Sequence, residues 1–224
     1  MRRTQQGKSY YTGQHALHYN DTWRTFLQKT LAVTLATIDV ASLRQKADMQ
    51  GRPLRLLDAA CGTGLLLQQL SHLFPHAELY GIDASQAMLT QATSLLRDTP
   101  AVHLVWAMLG AGATAGLAYP SAFFDLVVCT NSMHYLTDPA GTLRGFKHLL
   151  APGGQIVIED YILRGFPFPW RMFEWIIKLY DPQHIRLYTL EEVQVLCQNA
   201  GILLEDARSF PIDLFCQGWV FRGQ

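Results

Sequence analysis

Nowhere in the 224 residues does an apolar run approach the roughly 18 consecutive residues that a membrane-spanning helix needs. The opening "MRRTQQGKSYYTGQ" is basic but has none of the apolar stretch of a secretory leader, so a soluble chain is expected. The four cysteines, Cys61, Cys129, Cys197 and Cys216, are widely scattered and form no C-x-x-C pair. Neither a metal site nor a disulfide framework is expected; reduced thiols in the cytoplasm are. Charge of one sign is missing too. Eighteen Lys and Arg balance eighteen Asp and Glu, which speaks against a dedicated nucleic-acid binder. There is no internal repeat and no low-complexity segment. Apolar residues are plentiful: 49% against 16% charged, enough to bury the core of one α/β domain with a small elaboration.

Around residues 20 to 47, Trp23, Phe26, Leu27, Leu31, Val33, Leu35 and Ile38 fall at helical spacing and predict one or two amphipathic helices, a cap over 1–50 ahead of a main domain at 51–224. Short apolar runs then alternate with helical stretches. Strands are predicted at 54–60, 77–83, 102–107, 123–130 and 154–161, with helices at 64–74, 85–97 and 138–150. Ser85 is a candidate N-cap. Such alternation gives a parallel sheet with helices on both faces, and the nearly continuous apolar strands agree with burial on both sides. The aromatic-rich segment 163–188 looks inserted. After it, Thr189 and Glu192 predict a capping box, Gly201 ends that helix, and 202–208 and 215–223 predict a hairpin at the sheet edge.

The stretch "LLDAACGTGLLLQQL" (56–70) is a strand, a glycine turn and a helix. In open parallel sheets, ligands bind beyond the carboxyl ends of the strands. A dinucleotide fingerprint wants G-x-G-x-x-G, but Gly62 and Gly64 are followed by Leu67, which is expected to obstruct close helix–strand approach. Asp58, four residues before Gly62, repels a pyrophosphate and suits a positively charged ligand. Asp83 ends the next strand, where a carboxylate accepts hydrogen bonds from ribose hydroxyls. A ribose, a positive charge and no phosphate together fit S-adenosylmethionine. A nicotinamide-dependent oxidoreductase is disfavoured by the same residues.

Four motifs stand in order over about 54–161: "LLDAACGTG", "GIDAS", "FFDLVVCTNSMHYL" and "HLLAPGGQIVIED". On them the chain resembles the class I S-adenosylmethionine-dependent methyltransferases. "YYTGQHALHYNDTW" (10–23) and "HIRLYTLEEV" (184–193) are similar to segments of the ubiquinone/menaquinone-biosynthesis-type, small-molecule enzymes of that family. The resemblance implies a Rossmann-like, doubly wound sheet of seven strands, mostly parallel with an antiparallel last strand. It implies cofactor contacts from Asp58, Ala60, Gly62 and Gly64 in the first loop and from Asp83, Ala84 and Met88 after the second strand. Asn131 follows the fourth strand, and Tyr11 and Tyr19 would close over the cofactor or pack against the core. The family's usual acid after the third strand is absent: Met108 or Ala113 stands there, so adenine would rest on Met108 or Leu109 and on backbone groups.

"TNSMHY" lacks the N/D-P-P-Y/F motif of enzymes that methylate nucleic-acid bases. His134 is the candidate general base, an imidazole able to take a proton near neutral pH, or else it packs beneath the cofactor. Trp170 and Phe173 are candidate acceptor contacts in a lid. His184 and Arg186 either anchor an anionic or enolic acceptor or brace a loop. The expected function is methyl transfer to oxygen or carbon of a small apolar or aromatic acceptor; the alternative is a non-catalytic, methyltransferase-like binding or regulatory module. A homodimer is compatible with the exposed aromatics.

Overall fold

The structure is a computed structural model and describes residues 11, 13–109, 119–163, 177–179, 181 and 183–224. Trp170, Phe173, Ala113 and most of the expected lid lie outside the described residues. The one or two helices expected around 20–47 are α2 (Arg24–Thr37) and α3 (Val40–Gln50), and a further helix, α1 (Gln14–Thr22), precedes them. Asp39 caps α3 by accepting from the Ser42 N–H at 3.0 Å, and Gly51 closes it in the left-handed conformation. The βα alternation follows: β1 (Arg55–Ala59), α4 (Leu65–Leu73), β2 (Glu78–Asp83), α5 (Gln86–Leu95), β3 (Val102–Trp106), β4 (Phe124–Thr130), α6 (Pro139–Leu149) and β5 (Leu150–Leu163). The chain ends with α7 (Leu190–Asn199), β6 (Leu204–Pro211) and β7 (Cys216–Gly223). Ser85 caps α5, and the Thr189–Glu192 capping box is formed in full.

The seven strands run in the order β3-β2-β1-β4-β5-β7-β6. All pairings from β3 to β5 are parallel; β7 is antiparallel to both neighbours, which makes it the strand that runs against the rest. Alternate residues of each strand feed two cores. Leu56, Leu126, Val128 and Val157 pack under Leu31, Leu43, Leu66, Leu67, Leu70 and Ala92, so α2 and α3 belong to the same layer as α4 and α5. Leu57, Val127, Cys129, Ile156 and Ile158 pack on the other face under Phe146, Leu149, Val193 and Cys197 of α6 and α7. All four cysteines are free thiols. Among the described residues no single helix is long and apolar enough to cross a membrane.

Leu67 does not hold α4 off the sheet. It is fully buried, and a Cβ on Gly81 of β2 would lie 2.7 Å from its Cδ1. The missing side chain at Gly81 gives Leu67 its place, so the small residue needed for close packing stands on the strand.

At the amino end of β1 and β4, Asp125 is fully buried among cations. Arg52 holds it through two bonds of 2.8 and 3.0 Å, Lys46 Nζ lies 2.9 Å away, and the Arg55 N–H donates at 3.0 Å. Burial pushes this carboxyl up, but the Arg52, Arg55 and Lys46 contacts outweigh it and hold it below its ordinary value of 3.8. Its stabilisation is therefore complete above that value and is lost as the pH falls through the lower folded-state value. Asp125→Ala strands Lys46 and Arg52 and is expected to cost about 3–5 kcal/mol, read as lost stability in urea unfolding at pH 7, with the gap narrowing in acid. An unchanged midpoint at pH 7 would refute the clamp.

Candidate functional site

β1 and β4 lie side by side, yet the chain leaves β1 toward α4 on one face and β4 toward α6 on the other. That divergence opens a crevice at their carboxyl ends. It is a cavity of about 270 Å³ lined by the loop after β1, the loop after β2, the segment after β3, the turn after β4 and α1–α2.

The first loop is built on left-handed residues. Ala60, Gly62 and Gly64 have φ of 66°, 52° and 82°. A side chain on Gly62 would face open space, whereas one on Gly64 would press 3.0 Å from Leu96 and 3.1 Å from Ala92 of the adjoining segment. Gly62 thus leaves room at the cavity, and Gly64, outside its wall, allows close packing behind it. Asn131, after β4, is a second non-glycine residue at positive φ, 50°, in the wall. A left-handed residue with a Cβ costs about 1–2 kcal/mol, and here one such residue stands at each side of the crevice.

Two carboxylates face the cavity. Asp83 accepts from the Gly62 N–H at 2.9 Å and the Ser85 N–H at 2.7 Å, one on each oxygen. Burial raises its pKa above the ordinary value, and these backbone donors oppose the rise. Asp58 is buried, and its Oδ1 has no hydrogen-bond partner among the described residues. Burial first, and the nearby Asp83 second, push its carboxyl up to about 8. Asn131 donates from Nδ2 to Thr30 Oγ1 at 3.2 Å and leaves its own Oδ1 buried without a described partner. Behind it, Glu159 is buried with both side-chain oxygens in the same condition, and burial holds its carboxyl well above the usual range. Unpaired acceptors of this kind cost roughly 1–3 kcal/mol each and await a donor.

The N-terminal segment is tied across the opening. Asn20 of α1 accepts from the Thr63 hydroxyl at 2.7 Å, and the Tyr11 carbonyl accepts from the Ser85 hydroxyl at 2.6 Å. Tyr11 meets Tyr19 edge-on at 5.5 Å and Tyr135 at 6.2 Å, and all three line the cavity. Burial pushes the Tyr19 and Tyr135 hydroxyls well above the usual tyrosine range.

Asp58, Ala60, Gly62, Asp83, Ala84, Met88, Met108, Leu109, Asn131, Tyr11 and Tyr19 all line this one cavity, and Gly64, expected beside them, does not. His134, His184 and Arg186 are not in the wall. His134 is buried behind it, with Nδ1 2.8 and 2.9 Å from the two Asp160 oxygens and its backbone N–H 3.0 Å from the same carboxylate. His184 is buried beside it, the two rings 5.4 Å apart. Arg186 turns outward to Glu192 and lies over the Tyr188 ring, so its charge is engaged away from the cavity. Sequence reasoning missed Tyr135, Ser85, Leu27 and Leu31 as wall residues. Tyr135 carried a readable signal, since it lies in the same post-β4 motif as Asn131 and His134.

Residues 57–156 match the family model described as a methyltransferase domain. Over these residues, which run from β1 into β5, the chain is similar to methyltransferase domains. It is 23% identical over 170 residues to the methyltransferase YcgJ of Bacillus subtilis, which covers 75% of this chain and 65% of the relative. It is 27% identical over 161 residues to the ubiquinone/menaquinone biosynthesis C-methyltransferase UbiE of Shewanella sp. strain W3-18-1, covering 70% of this chain and 56% of that one. The chain therefore spans less than two thirds of the length of these curated relatives. The crystal structure of the Aquifex aeolicus SAM-dependent methyltransferase superposes with a TM-score of 0.60 at 17% identity, covering 92% of this chain and 96% of that one, and shares the fold.

The Asp58 carboxyl, raised from 3.8 to about 8, makes the ligand-free protein lose stability as the pH climbs between those values. Asp58→Asn removes this contribution. Its melting temperature is expected to exceed that of the parent at pH 8, with the difference closing toward pH 4. A difference that is the same at both ends of a pH series of melts would show that Asp58 is not the titrating group.

Proposed function

We propose that the protein transfers a methyl group from S-adenosylmethionine to a small apolar or aromatic acceptor, at oxygen or carbon. The observation that carries this reading is the pair of carboxylates around the glycine turn, one with a buried oxygen lacking any described partner. The residues fit the cofactor's groups one by one. Each Asp83 oxygen accepts one backbone N–H and keeps acceptor capacity for a ribose hydroxyl. Asp58 Oδ1 suits an ammonium, which would satisfy the acceptor and offset the repulsion from Asp83. Gly62 lets the backbone approach the ligand, and Met88, Met108 and Leu109 offer apolar contact to adenine in place of an acid. The same carboxylates disfavour a pyrophosphate.

Bound there, S-adenosylmethionine supplies a methyl carbon already activated by the sulfonium. The work of the chain is then to orient and to exclude water, and orientation alone reaches effective molarities of roughly 10⁵–10⁸ M. Leu27, Leu31 and Leu136 give the acceptor side an apolar wall. The geometry of His134 supports positioning rather than base catalysis: Asp160 grips both its ring and its backbone and so fixes the short 3-10 turn Met133–Tyr135 that brings Tyr135 into the wall. The balanced charge supports a small molecule rather than a nucleic acid as acceptor, and the likeness to UbiE supports a carbon acceptor.

Titration calorimetry tests the reading. S-adenosylmethionine is expected to bind and NAD not, and Asp83→Ala is expected to weaken the first about 10- to 100-fold, the worth of hydrogen bonds to a charged group. Equal binding by Asp83→Ala would remove the ribose assignment.

A further inference from the structure

We infer that the protein pairs with a second copy of itself along the outer edge of β3, so that two sheets join into one. The inference stands apart from the methyl-transfer reading. β3 (Val102–Trp106) ends the sheet, with β2 as its neighbour on the inner side. The Ala101 carbonyl accepts from the Leu79 N–H, and the Ala107 N–H donates to the Asp83 carbonyl. Along a parallel pair such contacts fall on alternate residues, so His103 and Val105 also spend their backbone groups on β2. The backbone N–H and C=O of Val102, Leu104 and Trp106 therefore point outward, and among the described residues these groups have no partner. A row of this kind is a template for another strand.

The two edges of the sheet differ in charge. β6, at the far edge, is guarded: Glu205, Asp206 and Arg208 lie along it, Arg208 pairs with Asp206, and Arg222 of β7 pairs with Glu205. Its register also shifts between Leu204 and Asp206, and Pro211 ends it. β3 has no such guard. No Asp, Glu, Lys or Arg stands between Asp98 and Asp125, and Val105, Trp106 and Met108 are 41%, 53% and 69% exposed. An uncharged edge has nothing to draw a charged partner strand and nothing to repel its own copy.

The edge is also complementary to itself. A twofold axis at Leu104 sets two copies antiparallel, so that Leu104 meets Leu104 and Val102 of each copy meets Trp106 of the other. Every outward N–H and C=O then finds a partner. On one face Val102 and Leu104, which already pack on the core beneath α5, carry that core across the junction. On the other face Val105 comes opposite His103, whose ring stacks on Tyr80 at 4.7 Å. The same register brings Met108, part of the cavity wall, toward Pro100 and Ala101 of the other copy. Since each copy has one unguarded edge, pairing closes at the dimer and does not run on into a filament.

Sedimentation velocity on the full chain, from about 1 to 100 µM, tests this. The wild type is expected to pass from monomer to dimer as concentration rises. Hydrogen exchange at the Val102, Leu104 and Trp106 amides is expected to slow at least about 10-fold over the same range. Val105 lies outside the cavity wall, and in the dimer its exposed side chain meets its own counterpart across a strand diagonal. Val105→Lys and Val105→Glu are each expected to weaken association at least about 10-fold, and their equimolar mixture to restore it. Unfolding could not give that recovery. A wild type that stays monomeric with the three amides exchanging freely overturns the pairing, whether the edge then serves another protein's strand or none. A dimer that both variants retain, or a mixture that associates no better than either variant alone, overturns it as well.

Discussion

The structure turns on the reversal of strand order at β1. Because β2 lies on one side of β1 and β4 on the other, the two loops that leave β1 and β4 diverge to opposite faces and open a gap between them. The same two strands are clamped at their amino ends by Asp125 with Arg52, Lys46 and the Arg55 N–H. The crevice is therefore the free end of a strand pair fastened at the other end. Loops so placed can differ in sequence without loosening the sheet below.

The chemistry of the crevice is one-sided. Asp58, Asp83 and, one layer behind, Glu159 place carboxylates where burial disfavours their charge, and Asn131 Oδ1 adds a buried acceptor without a described partner. In isolation this arrangement destabilises the fold. It is tolerated beside a ligand that brings hydrogen-bond donors and positive charge, as is the backbone strain at Ala60 and Asn131. Both observations concern the same few ångströms of strand end, which is why the site and the strain coincide.

Much of this was legible in the sequence because it is local. The strands and helices of the sheet announce themselves by apolar runs and periodicity, Ser85 and the Thr189–Glu192 box by spacing, and the first loop by its glycines and Asp58. What was not legible links distant residues. His134 looks like a base in its own tripeptide, but its partner Asp160 lies 26 residues on, and the pair is buried behind the cavity wall. Tyr135 and Asp181 are 46 residues apart, and Tyr11 and Tyr135 are 124 apart, so no periodicity joins them. Arg186 invites an anion until its neighbour Glu192, read from sequence only as a cap, is found to hold both the helix end and the guanidinium.

The fit of Leu67 against Gly81 bears on how such a chain can change over time. Leu67 and the Gly81 vacancy are a ridge and its notch, and neither can be altered freely while the other stays. Giving residue 81 a side chain crowds Leu67, Leu104 and Cys61 at once, whereas trimming Leu67 leaves a hole beneath the glycine turn. Descendants of this sequence would pass between the two arrangements most easily through paired substitutions. The ancestry of the loop would then be written partly in a strand residue that never touches the ligand.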